Sequence, residues 1–163
     1  MREVPPKHDM AKFRLLADDI ARKSFADKLD KAGKPYYNHL KHVAETAAER
    51  FGNSPEEKDF YYVLGILHDL LEDCPEWNEK SLSIVFHKSI VDLLLIITKQ
   101  KDEAYPNYIS RIIDSEELYI LKIKLVDLEH NMDIKRFKYI YDQNLSMLKR
   151  YHNAWIRIQD ALH

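Results

Sequence analysis

The chain has 163 residues, enough to bury a substantial core, and its 45% hydrophobic and 32% charged content is ordinary for a folded globular protein. A net charge of −2 gives no general attraction to nucleic acid or to an acidic membrane surface, and the single cysteine, Cys74, excludes an intrachain disulfide framework and fits a reducing compartment. Three glycines and six prolines leave little material for the turns of a many-stranded sheet, so helices are expected.

Along the chain, the opening MREVPPKHD is too polar and proline-rich for a secretory signal. Asp9 can cap a first helix through Phe13, Leu16, Ile20 and Ala21, running to about Leu29 and stopping near Gly33 and Pro35. Asn38 is placed to cap a second helix that ends at Gly52. Ser54-Pro55-Glu56-Glu57 is a capping box with proline in the first turn, opening a third helix from Glu56 to Asp73 that Cys74-Pro75 terminates. A short helix over Glu79 to Phe86 and an apolar one over Ile90 to Lys99 follow. Gln100 to Asn107 is expected as a loop, Ser115 opens a long helix through Leu118, Leu121, Leu125 and Leu128, and a last helix covers Asn144 to Ala161. The longest apolar run, Ile90 to Thr98, is broken by Asp92 and is far too short to span a bilayer. The pattern predicts one all-α domain over residues 1–163, located in the cytoplasm, with no membrane contact. The final helix, with Tyr151, Trp155 and Ile158, is expected in the core, although packing against a second copy in a homo-oligomer is left open.

Chemistry concentrates in Phe60 to Pro75, FYYVLGILHDLLEDCP, where an apolar helix ends in His68, Asp69, Glu72 and Asp73. Three carboxylates at a helix C-terminus sit against the negative end of the helix dipole, where cations are preferred. Local stability does not explain that arrangement, and a bound divalent cation does. The adjacent His68 and Asp69 diverge by about 100° on a continuous helix, so they would have to straddle the ion with other ligands closing the shell. His39, in the first turn of the second helix, is one such ligand, and His42 competes with it at this level of reading. Asp127 stands alone in the apolar stretch ILKIKLVDLEHNM and needs either a cation or a buried ion pair, for which Lys124 is the candidate; Asn131 shares its face. Two imidazoles and two carboxylates suit manganese, iron or zinc. A phosphate-bearing substrate also needs donors, and Lys31, Lys34, Lys99, Lys101, Lys124 and Arg111 flank the motifs. Tyr36, Tyr105 and Tyr108 are either stacking partners for a base or fillers of a core edge.

Three segments, GKPYYNH at Gly33 to His39, GILHDLLED at Gly65 to Asp73 and KLVDLEHNM at Lys124 to Met132, resemble the HD-domain phosphohydrolases, in particular the hydrolase domains of the RelA/SpoT alarmone enzymes. The likeness extends over roughly Phe25 to Arg136, including SLSIVFHKSIVDLLLIITK at Ser81 to Lys99. It implies a helical HD-domain bundle in which His39, His68, Asp69 and Asp127 hold one divalent ion. In that family the ion is usually manganese, which is the ion expected here, with iron, zinc or cobalt compatible with the same donors. It further implies that Glu72 and Asp73 orient and deprotonate the attacking water, that Asn131 lines the substrate pocket, and that the substrate is a small phosphorylated nucleotide. Guanosine 3′,5′-bis(diphosphate), cleaved at its 3′-pyrophosphate, is the named candidate; another nucleotidase activity, or a non-catalytic nucleotide-binding module, is the alternative. The chain departs from the family around the base: the arginine before the Gly-x-Pro-Tyr motif is Asp30, a histidine and a glutamine upstream are Phe25 and Lys28, and the arginine and threonine after the last ligand are Leu128 and Ile134.

Overall fold

A computed structural model describes residues 4, 5 and 7–163, without the side chain at position 8. Part of the N-terminal stretch read as unlike a secretory signal, residues 1–3 and 6, lies outside the described residues. The described elements are α1 (Lys7–Ser24), α2 (Tyr36–Phe51), α3 (Pro55–Leu67), α4 (Leu70–Asp73), α5 (Glu79–Val85), α6 (Lys88–Ile97), α7 (Tyr105–Asp114), α8 (Leu118–Asn131), a 3-10 turn (Ile134–Arg136) and α9 (Asp142–Leu162). Among the described residues there is no strand, only an isolated bridge between Leu29 and Pro35. None of the described helices is long and apolar enough to cross a membrane.

Helix α3 is the axis of the bundle. Phe60 to Leu67 are buried without interruption, as expected of a helix that is apolar all round. It packs mainly on α2 and α1, with α6 and α8 closing its remaining sides, while α8 bridges α2 to α9. Its start follows the capping signal: Ser54 Oγ accepts from the Glu57 amide at 3.1 Å and Pro55 occupies the first turn. The Glu57 carboxylate turns back one residue further than a capping box requires, accepting the Asn53 amide at 2.8 Å.

Three expected boundaries are corrected. The first helix ends at Ser24 rather than near Leu29, and Phe25 folds into the core instead. The second begins at Tyr36, so Asn38 lies inside its first turn and caps nothing. The expected loop holds over residues 100–104, but Tyr105 to Asn107 open helix α7, in which Pro106 is tolerated because it sits in the first turn, where no amide donor is needed. Tyr108, Ile109 and Ile112 form its buried stripe.

The remaining correction places the chemistry. The expected third helix is not continuous to Asp73. It stops at Leu67, His68 and Asp69 form a turn with Asp69 at φ −103° and ψ 0°, and α4 resumes for one turn. The break places both side chains at the junction between the two helices.

Candidate metal centre

Four charged or polar residues are buried among the described side chains: His39, His68, Lys124 and Asp127. They come from three helices and converge on one point. His39 arrives from the first turn of α2, His68 from the end of α3 and Asp127 from α8, with Asp69 beside them at the break before α4. Gly65 makes the meeting of α2 and α3 close enough: a Cβ there would stand 2.6 Å from the Cα of Ala44.

His68 Nε2 lies 3.1 Å from Asp69 Oδ2 and 3.4 Å from Asp127 Oδ1. His39 Nε2 lies 3.1 Å from the same Asp127 oxygen and 3.9 Å from Asp69 Oδ2. Candidate ligand atoms of His39, His68 and Asp69 all fall within 4.8 Å of one another. The histidine and aspartate of the pair therefore meet at one point, and His39, not the exposed His42, joins them.

The donor set fits a divalent ion on its own chemistry. The Nδ1 of His68 donates to the Gly65 carbonyl at 2.7 Å, which leaves Nε2 as the nitrogen that takes either a second proton or a metal ion, and that buried atom has no hydrogen-bond partner. It faces two carboxylate oxygens. Lone pairs pointed at one another in a buried site need either a proton or a cation between them. Burial pulls the His68 pKa down, but Asp69 and Asp127 outweigh it and raise it well above its ordinary value. Burial likewise works to raise the Asp127 carboxyl, and Lys124, His39 and His68 reverse this and hold it well below the usual carboxylate range.

Around the four ligand candidates the remaining carboxylates behave differently. Burial, with Asp69 and then Asp73 nearby, raises the Glu72 pKa. Burial and Asp69 raise that of Asp73, with Lys28 opposing. Both face the cavity that opens over His39, Asp69 and Asp127, which has a volume of 170 Å³. Its walls also carry Lys31, Lys99, Asn131, Tyr105, Phe137 and Tyr151.

The expected substrate donors divide on inspection. Asn131 Nδ2 donates to Asp127 Oδ1 at 2.8 Å, so it borders the cavity while orienting a ligand. Lys124 donates to Asp127 Oδ2 at 2.8 Å and is sheltered by the Tyr105 and Tyr108 rings; the buried ion pair weighed from the sequence is what forms. Lys31 reaches the Tyr151 hydroxyl at 2.5 Å from the rim, and the Lys99 ammonium lies 3.5 Å from the Gln100 carbonyl. Lys34 and Lys101 do not border the cavity. Arg111 is a correction: its guanidinium is held by Glu103 at 2.8 and 3.0 Å and by the Ile96 and Thr98 carbonyls, a clamp on the end of α6 away from the cavity. Tyr36 is a correction of role: it borders the cavity, but its ring stacks on Phe25 and its hydroxyl donates to Asp69 Oδ2 at 2.6 Å. Tyr108 is a core residue whose hydroxyl donates to the Ile97 carbonyl.

Sequence reasoning missed His130 and Arg136. His130 Nδ1 is 2.7 Å from His39 Nδ1, and its ring stacks on that of His42. Burial first, then His39 and Arg136, push its pKa down to about 3, so the ring is neutral. His130 was visible only as a histidine beside Asn131; its partner lies 91 residues away in the chain.

The architecture is an all-α helical bundle. A solved structure described as a metazoan orthologue of SpoT that hydrolyses ppGpp superposes with a TM-score of 0.70, over 98% of this chain and 96% of that one, at 14% sequence identity. No sequence-family model matches the chain, and no curated protein sequence does. The likeness is thus one of fold.

Proposed function

We propose that this chain, a single HD-type domain, is a metal-dependent phosphohydrolase acting on a small phosphorylated nucleotide. The observation that carries the reading is the meeting of two imidazole Nε2 atoms with the carboxylates of Asp69 and Asp127, all within hydrogen-bonding to ion-binding reach. His39, His68, Asp69 and Asp127 would hold the ion, for which manganese is the proposed identity, with iron, zinc or cobalt compatible with the same donors. When bound, a divalent ion supplies acidification of a water and withdrawal of charge from a phosphoryl oxygen.

The chain's own residues do the rest. Tyr36 and Asn131 fix the two aspartates by hydrogen bonds to Oδ2 of Asp69 and Oδ1 of Asp127. Lys124 neutralises the far oxygen of Asp127. Glu72 and Asp73, whose pKa values burial and the neighbouring Asp69 raise, are suited to take a proton from water and return one to the leaving group. Lys31 and Lys99 at the cavity wall are the proposed phosphate donors, and Tyr105, Phe137 and Tyr151 offer apolar surface for a base.

Within this class, guanosine 3′,5′-bis(diphosphate) is the named candidate, supported by the fold of the ppGpp-hydrolysing neighbour. One observation favours a different nucleotide. Asp30, where the alarmone enzymes carry an arginine, is already engaged by Arg136 at 2.5 Å and by the Ala32 and Lys34 amides. A cytoplasmic location fits either substrate. The test is a release assay with manganese-loaded protein and a panel of nucleotides, some carrying 3′-pyrophosphates and some 5′-phosphates, following orthophosphate and pyrophosphate separately. Metal-dependent release from at least one is expected, and silence across the panel by metal-loaded protein would defeat the proposal.

A further inference from the structure

Four side chains form a line from the Asp30 turn into the metal centre. Asp30 Oδ2 accepts from Arg136 Nη2 at 2.5 Å, and its other oxygen accepts the Ala32 and Lys34 amides at 2.9 Å each. Gly33, at φ +76°, allows the chain to turn tightly enough for both amides to reach that oxygen. Arg136 Nη1 then donates to the His130 carbonyl at 2.8 Å and lies 3.1 Å from His130 Nδ1. His130 Nδ1 is in turn 2.7 Å from His39 Nδ1.

Proton bookkeeping fixes the direction of these contacts. A guanidinium has only donors, so the His130 nitrogen that faces Arg136 must be an acceptor. A hydrogen on that nitrogen would point at a donor on one side or leave the 2.7 Å contact to His39 as the sole outlet for it. With the nitrogen unprotonated, it accepts from Arg136 and from His39 together. The hydrogen of a neutral His39 ring is then on Nδ1, and its Nε2 lone pair faces Asp69 and Asp127.

We propose that His130, held by Arg136 and Asp30, is a positioning residue that fixes His39 in the Nδ1–H tautomer and so aims its Nε2 at the metal. The inference rests on the metal-centre reading above. It also gives Asp30 a purpose where the chain departs from the alarmone hydrolases it resembles: the carboxylate anchors the arginine that polarises His130. His68 reaches the same tautomer through the Gly65 carbonyl, so both imidazole ligands are set by an acceptor behind them.

The test compares metal affinity, by titration of the metal-free chain with manganese and zinc in competition with a chelator, for wild type, His130→Phe and His130→Asn. The phenyl ring keeps bulk and stacking but has no acceptor, and the expected result is a 10- to 100-fold loss of affinity. The asparagine carbonyl can occupy the place of Nδ1, and affinity is expected to return to within about threefold of wild type. Equal affinity for His130→Phe and wild type would overturn the proposal. Because the phenylalanine variant can fail by misfolding, the wild-type tautomer is read independently, by long-range proton–nitrogen correlation spectra of the metal-free chain at a pH where His39 is neutral. A hydrogen on Nδ1 is expected, and one on Nε2 would overturn the assignment. A wild-type chain that takes up no metal would defeat the reading beneath, while the His39 tautomer would still decide the part played by His130.

Discussion

Replacing Gly65 by alanine probes the contact that brings the two ligand-bearing helices together. A Cβ at this position would lie 2.6 Å from Ala44 Cα, 2.9 Å from Ala44 N and 3.2 Å from Ala44 Cβ. Carbon atoms in van der Waals contact stand about 3.5–4.0 Å apart, so α2 and α3 would have to separate by on the order of 1 Å. Two of the three obstructing atoms are backbone, which no rotamer change can clear. Overpacking of this kind costs about 1–3 kcal/mol, at the upper end where backbone must move. The better helix propensity of alanine returns about 1 kcal/mol. The net expectation is a loss of about 2 kcal/mol, or roughly 4–8 °C in Tm for a chain of this length. The same separation would pull His39 on α2 away from His68 at the end of α3 and weaken metal binding in parallel. Calorimetry of the metal-free chain and a metal titration read the two effects. A Gly65→Ala protein that is more stable than wild type, with unchanged metal affinity, would show that the helices are not held at this distance.

Asp127→Asn should abolish tight metal binding and also destabilise the metal-free chain by about 3–5 kcal/mol, because it leaves the buried Lys124 ammonium without its counter-charge; denaturant unfolding of the variant checks this. Adding Lys124→Met to that variant should recover part of the loss, and no recovery would place the cost elsewhere. Glu103 is held down to about 2 by its hydrogen bonds to Arg111, below its ordinary value of 4.5, so its contribution is fully present above pH 4.5 and disappears as pH falls through about 2. Glu103→Gln should therefore cost on the order of 1–3 kcal/mol at pH 7 and progressively less on acidification, with a pH-independent difference counting against the clamp. Glu72→Gln and Asp73→Asn should each lower phosphate release about 10²- to 10⁴-fold while leaving metal content unchanged; full activity in both would remove the proton-transfer assignment.

The sequence made the centre legible where physical chemistry left few alternatives. The cluster of carboxylates that follows the apolar run to Leu67, and Asp127 in an apolar stripe, both call for a cation, and the fold brings Asp69 and Asp127 to one point. The competition between His39 and His42 could not be decided by spacing, since both fall on the first two turns of α2. It is decided by α8, which meets the buried His39 and leaves His42 exposed against the His130 ring. Helix α7 was hidden because a proline and a polar start resemble a loop, although the spacing of Tyr105, Tyr108, Ile109 and Ile112 carries the helical repeat. The break between α3 and α4 was also hidden. LHDLLED contains no glycine or proline to mark it. Arg111 misled for the opposite reason: an arginine in a motif-like segment reads as a phosphate donor, and only the chain path shows Glu103 and two helix-end carbonyls already waiting for it.

The central claim is that His39, His68, Asp69 and Asp127 form a site for one divalent ion. Elemental analysis of the protein, after exposure to manganese, iron and zinc and removal of free ion, tests it most directly. About one metal per chain is predicted, falling to background in His39→Ala and Asp127→Ala and unchanged in His42→Ala. Wild-type protein that emerges without bound metal, or that keeps it when His39 and Asp127 are removed, would contradict the account.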